Sequence, residues 1–79
     1  MNNPLIENIN YIHTTTLGEQ RIKNNLGHYD IDVVYWCKLR ILDKNSRIER
    51  IGKNWYIHAT DCIITINASS YTIITCHSL

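Results

Sequence analysis

The chain has 79 residues, of which 44% are hydrophobic and 19% charged, and its formal net charge is +1. This composition excludes a disordered chain and predicts one folded domain over residues 1–79, close to the smallest size that sustains its own core. No apolar run is long enough for a membrane helix, and "MNNPLIENIN" has neither the basic start nor the apolar stretch of a secretion signal. A cytoplasmic protein with no membrane partner is therefore expected. Cys37, Cys62 and Cys76 are an odd number without CxxC spacing, which predicts free thiols rather than a disulfide framework. The paired close ligands of structural zinc are missing too, so neither a metal nor another cofactor is expected. Charge is unevenly spread. Lys38, Arg40, Lys44, Arg47, Arg50 and Lys53 stand against Asp43 and Glu49 in residues 38–53, a local balance of +4. A basic stretch on a near-neutral chain suits a phosphate-facing patch, or simply a solvated helix end and loop.

Residues 1–43 read as the helical half. Leu5, Ile6, Ile9 and Ile12 recur at helical spacing behind Pro4, a residue suited to a first turn. A second helix begins in "HTTTLGEQRIKNNLG", where Thr16 and Glu19 have the spacing of a capping box and Gly27 is the stop. Its inward positions are Leu17, Ile22 and Leu26. The third helix, "DIDVVYWCKLRILD", takes Asp30 as cap and Asp32 in its first turn, where negative charge suits the dipole. Val33, Val34, Cys37 and Ile41 form one apolar arc; Ile31, Tyr35, Leu39 and Leu42 form another. A helix apolar on two sides is expected to be sandwiched, here between a sheet and the earlier helices. Trp36 falls outside both arcs, either exposed as a contact residue or tucked under the first helix.

From Arg47 the period changes to two, giving four strands: "RIERI", "NWYIH", "CIITI" and "YTIITCH". Gly52–Lys53 fits a two-residue hairpin turn with glycine at its first central position. "NASS" supplies the last turn, while "AT" between His58 and Asp61 is a poor tight turn. The predicted fold is α+β: N-terminal helices packed on one face of a C-terminal antiparallel four-stranded meander over residues 47–77.

Pairing 51 with 54, 58 with 61 and 66 with 71 assigns the faces. Trp55, Ile57, Cys62, Ile64, Ile66, Tyr71 and Ile73 then form the core side. The outer side carries the rows Arg47–His58–Asp61–Cys76, Glu49–Tyr56–Ile63–Ile74 and Ile51–Asn54–Thr65–Thr72. In this register Cys62 and Cys76 lie on opposite faces. The inventory of carboxylate, arginine, histidine, tyrosine and threonine suits metal-free cleavage of RNA. Glu49 or His58 takes the 2′-hydroxyl proton, and His58 or His77 protonates the leaving oxygen. Arg47, helped by Arg50 or Lys53, stabilises charge on the phosphate, and Tyr56 stacks a base.

Several blocks, "HTTTLGEQRIKNNLG", "VVYWCK", "RIGKNWY" and "CIITINASSYTIITCH", resemble a bacterial family catalogued as domain of unknown function 3781. The resemblance covers nearly the whole chain and implies a compact standalone protein, without assigning an activity. Helices followed by a twisted antiparallel sheet also resemble, in architecture, the barnase, colicin and RelE-like ribonuclease toxins. That resemblance implies basic, histidine and hydroxyl residues working on the open sheet face, adding Lys53, Thr72, Thr75 and His77 as substrate-contacting candidates. Two functional readings follow. One is a small ribonuclease-like domain that binds or cleaves RNA. The other is a noncatalytic interaction module, using Trp36 or an Ile63–Ile74 stripe to bind a protein partner or form a homodimer.

Overall fold

The computed structural model describes residues 3–79. Helices α1 (Pro4–Glu7), α2 (Thr16–Leu26) and α3 (Val33–Ile41) precede strands β1 (Arg47–Ile51), β2 (Asn54–His58), β3 (Cys62–Asn67) and β4 (Ile73–Ser78). The strands form one antiparallel sheet in the order β1-β2-β3-β4. The helices supply Leu5, Ile22, Val33, Cys37 and Ile41 to a core shared with Trp55, Ile57, Ile64, Ile66 and Ile73 of the sheet. This is the α+β arrangement expected, an N-terminal helical half on one side of a meander.

Local chemistry explains most boundaries. Asn3 caps α1, its side chain accepting from the Leu5 amide at 2.8 Å, and Pro4 occupies the first turn. The first helix is shorter than its apolar spacing suggests. It gives way to a 3-10 turn over Ile9–Tyr11, and Ile12 is buried from an extended backbone. In α2 the cap is Thr15, one residue before the expected Thr16; its hydroxyl accepts from Gly18 N at 2.9 Å. Leu17 consequently faces solvent, at 78% exposure. Gly27 ends the helix at φ 70°, the left-handed cap its type favours. The α3 cap is Asp32 rather than Asp30, accepting from Tyr35 N at 3.1 Å.

Helix α3 is not sandwiched. Its Val33–Cys37–Ile41 arc is buried, whereas Tyr35, Leu39 and Leu42 remain exposed, because α2 packs along β4 instead of over α3. Trp36 is half-buried beneath Arg40, whose guanidinium carbon sits 3.3 Å from the ring centroid.

The sheet registers decide the faces. Gly52 has φ 57° while Lys53 keeps a negative φ, the II′ geometry of a two-residue hairpin, and Arg47 pairs with His58 as expected. Between β2 and β3 the turn closes one residue later on one side and one on the other: Ala59 N donates to Cys62 O. His58 therefore lies opposite Ile63, not Asp61. The slip is two residues, so every side chain keeps its face. The β3–β4 pair differs more. Ile66 faces Ile73 and Thr65 faces Thr75, which leaves Ile74 as an inserted bulge residue. One inserted residue turns Cys76 inward and His77 outward.

The three cysteines are free and buried, but they converge instead of lying on opposite faces. All three enter one buried cluster, Cys37 from α3, Cys62 from β3 and Cys76 from β4. The neighbouring Cys37 thiol pushes Cys76 up to about 12, against a lesser lowering from Cys62, with burial adding to the rise. Cys62 is raised as well, first by the Cys76 thiol near it and then by desolvation.

Candidate functional site

The face of the sheet turned away from the helices presents Arg47, Glu49, Tyr56, His58, Ile63, Thr65, Thr75 and His77. Two rows cross it: Arg47–His58–Ile63–His77 and Glu49–Tyr56–Thr65–Thr75. Antiparallel pairing makes each row a line of neighbouring side chains, because directly opposed residues share a face. The Asp61 and Cys76 expected beside His58 are elsewhere, and Ile63 and Ile74 do not pair.

His58 and Glu49 form the centre. His58 Nε2 lies 3.1 Å from Glu49 Oε1, diagonal to it across the hairpin. A carboxylate only accepts, so Nε2 carries the ring proton and the neutral imidazole keeps its lone pair on Nδ1. Arg47 Nη1 is 3.7 Å from the other Glu49 oxygen, a loose and exposed contact. Tyr56 is half-buried in the adjoining row, its hydroxyl accepting from Asn54 Nδ2 at 3.4 Å. His77 stands beyond Ile63 in the His58 row, with its Nε2 3.4 Å from Thr75 Oγ1. Two strand spacings put the His58 and His77 backbones roughly 10 Å apart. The isoleucine between them is a low apolar floor. The described residues enclose no pocket, so any ligand meets an open surface.

The remaining candidates are placed apart from this group. Arg50 lies on the helix side of β1, its guanidinium 5.3 Å from the Trp55 ring and donating to Gly52 O at 3.1 Å. Lys53 is in the hairpin turn, at the opposite end of β2 from His58. Thr72 precedes β4 and bonds His13 Nε2 at 3.1 Å and Ser70 Oγ at 2.8 Å. Asp61 turns to the helix side, where Arg40 Nη2 and Nε donate to its two oxygens at 2.9 and 3.3 Å. That guanidinium holds the Asp61 carboxyl below the usual carboxylate range, against a smaller opposing push from desolvation. Among the described residues no group of His, Cys, Asp or Glu is arranged to hold a metal ion. No helix among them is long and apolar enough to cross a membrane.

Sequence spacing missed His13. Its Nδ1 is 2.8 Å from Tyr11 O, and its backbone bridges to Thr72 in parallel. Nothing in a lone histidine before "TTT" announces a contact with a segment 59 residues away.

No curated protein and no solved structure matches the chain. A family model matches residues 6–77, nearly its whole length. The chain belongs to the family described as Protein of unknown function, DUF3781.

Proposed function

We propose that this protein is a metal-independent ribonuclease-like domain that binds RNA across the open face of its sheet and uses His58 for proton transfer. One observation carries the reading: the His58–Glu49 hydrogen bond at 3.1 Å, which fixes the ring and leaves the Nδ1 lone pair as a base. The bulge that replaces the Ile63–Ile74 pair with His77 and Thr75 supports it further, since it makes the face more polar.

In the proposed reaction the 2′-oxygen bonds to phosphorus while its proton passes to His58 Nδ1. Glu49 steadies the imidazolium as it forms. The bond from phosphorus to the 5′-oxygen breaks, and that oxygen takes a proton from His77. The products are a 2′,3′-cyclic phosphate and a 5′-hydroxyl. Arg47 lies next to His58 in the row and offsets charge on the non-bridging oxygens. Tyr56 offers a ring edge to a neighbouring base.

Incubation with unstructured and structured RNA in chelator is expected to yield the cyclic phosphate end. His58→Ala should lower the rate at least about 100-fold while leaving the far-ultraviolet dichroism unchanged. A folded His58→Ala protein cutting at the parental rate removes His58 from the mechanism, and a parent without cleavage on any RNA removes the catalytic reading. The protein-interaction reading draws on another surface, the exposed Tyr35, Leu39 and Leu42 stripe of α3. Loss of a protein partner on Leu39→Asp, with no RNA cleavage by the parent, would favour it.

A further inference from the structure

The open edge of β1 pairs with itself. We infer that two copies of the chain join edge to edge, β1 antiparallel to β1 about a twofold axis at Ile48, extending the sheet across the pair. This inference is independent of the RNA reading.

The backbone comes first. A two-residue hairpin closes with Ile51 and Asn54 as a hydrogen-bonded pair, so alternation makes Glu49–Tyr56 and Arg47–His58 bonded pairs as well. Ile48 and Arg50 therefore point their amides and carbonyls away from β2. Strand β1 is the end of the sheet order, and among the described residues no group bonds these amides or carbonyls. They form a short template for another strand.

Parity then limits the partner. In a twofold antiparallel pair, outward-pointing residues must oppose outward-pointing residues, so the axis passes through a residue of β1. An axis at Ile51 would set Arg50 against the hairpin turn at Gly52, which leaves Arg47, Ile48, Glu49 or Arg50. An axis at Arg47 or Arg50 sets that arginine against its own copy, and an axis at Glu49 opposes two carboxylates. Like charges directly opposite destabilise a sheet. The axis at Ile48 does the reverse. Arg47 of each copy opposes Glu49 of the other, twice, at the close non-hydrogen-bonded positions of the new ladder. Ile48 meets Ile48 on the helix side, where it already packs against the core cluster. Arg50 meets Ser46, and the ladder ends there because Ser46 N already donates to Asp43 O at 3.0 Å. The charge order of "RIERI" is self-complementary in this one register.

Pairing of this kind places both open faces on the same side, and Arg47 of one copy then reaches the carboxylate that holds His58 in the other. The self-recognition is electrostatic and short, so a weak, salt-sensitive dimer is expected.

Sedimentation of the wild-type chain at high micromolar concentration and low salt should give a dimer. Arg47→Glu and Glu49→Arg should each give a monomer, and the double swap, R47E/E49R, should restore the dimer. A monomeric wild type, single swaps that remain dimeric, or a double swap that remains monomeric would each overturn the inference. If a swapped chain fails to fold, hydrogen exchange of the wild type decides. The Ile48 amide should exchange at least about 10-fold more slowly at high than at low protein concentration. Equal exchange at both concentrations would overturn the pairing.

Discussion

The two edges of the sheet are finished in opposite ways. Beyond β4, His13 O accepts from Ile73 N at 2.7 Å, Thr14 Oγ1 donates to Ile73 O at 2.9 Å, and Asn25 Nδ2 donates to Cys76 O at 3.3 Å. Helix α2 packs along the same strand: a Cβ on Gly18 would stand 3.6 Å from Ile73 O, and 2.5 Å from the Thr14 Oγ1 that binds that carbonyl. Beyond β1, among the described residues of one chain, no strand and no backbone hydrogen bond follows. The closed edge is built from apolar packing and long-range hydrogen bonds, whereas the open one carries Arg47, Glu49 and Arg50 in five residues. A strand whose backbone is satisfied within the fold can be apolar, like β4 with its buried Ile73 and Cys76. A strand left open must be soluble on its own, and charge is how β1 achieves this.

The contrast is broken most strongly at Gly18. Gly18→Ala pushes a methyl into Thr14 and is expected to destabilise the fold by about 2 kcal/mol, lowering Tm by roughly 8–16 °C. An unchanged melting curve would mean that Thr14 can yield to the methyl without loss of its bond to Ile73. Thiol labelling sharpens the same point, since Cys76 lies in the closed edge strand. The native thiols are all buried, and Cys62 and Cys76 are raised besides, so they should react slowly near neutral pH, and all three should react after unfolding. Gly18→Ala should speed Cys76 labelling roughly 30-fold, and equal rates in the two proteins would show that opening there does not limit the reaction.

Thr14→Val is milder. It removes one donor from a partly buried carbonyl, for an expected loss of about 1 kcal/mol in urea unfolding. The Arg40–Asp61 pair serves as a control, because it sits at the β2–β3 turn and at neither edge. Its folded carboxyl is depressed below the ordinary value of 3.8, so its stabilisation is present above that pH. It is lost as pH falls through the depressed folded value. Solvent screening of the half-exposed aspartate keeps it near about 0.5 kcal/mol. Asp61→Asn should remove that part of the acid dependence, and a superimposable pH–stability curve would show the pair to be inert. Smallest of all, Arg47→Thr at the open edge should change monomer stability by less than about 0.5 kcal/mol. A larger change would mean that the β1 edge is covered within the monomer.

The sequence announces some of these features plainly. Gly52 at the hairpin turn, Gly27 at a helix end and the alternation of "NWYIH" each have a local physical cause, and each is found in the structure. Arg47, Glu49 and His58 share a face because that hairpin turn fixes their register. What the sequence conceals is non-local. The loop before β4 depends on Asn67 Oδ1 accepting from Ser69 N and Ser70 N, and on Tyr71 adopting φ 59°, unusual for a bulky residue. The bulge at Ile74 has no local signature either, yet it alone decides whether Cys76 or His77 meets the core. Thr14 is similarly opaque. A threonine cluster before a helix reads as capping, and Thr15 does cap, but its neighbour reaches β4 instead.

That reach has a kinetic side. The three hairpin contacts of the meander join near neighbours in the chain, while the bond from Thr14 to Ile73 spans 59 residues. Closing so long a loop loses chain entropy before any contact is gained, so the sheet should zip from its turns and receive the N-terminal segment last. Contacts that form after the transition state govern how fast a protein comes apart, not how fast it folds. Stopped-flow measurements on Thr14→Val should therefore show faster unfolding at a nearly unchanged folding rate, making the segment a latch on the lifetime of the native state.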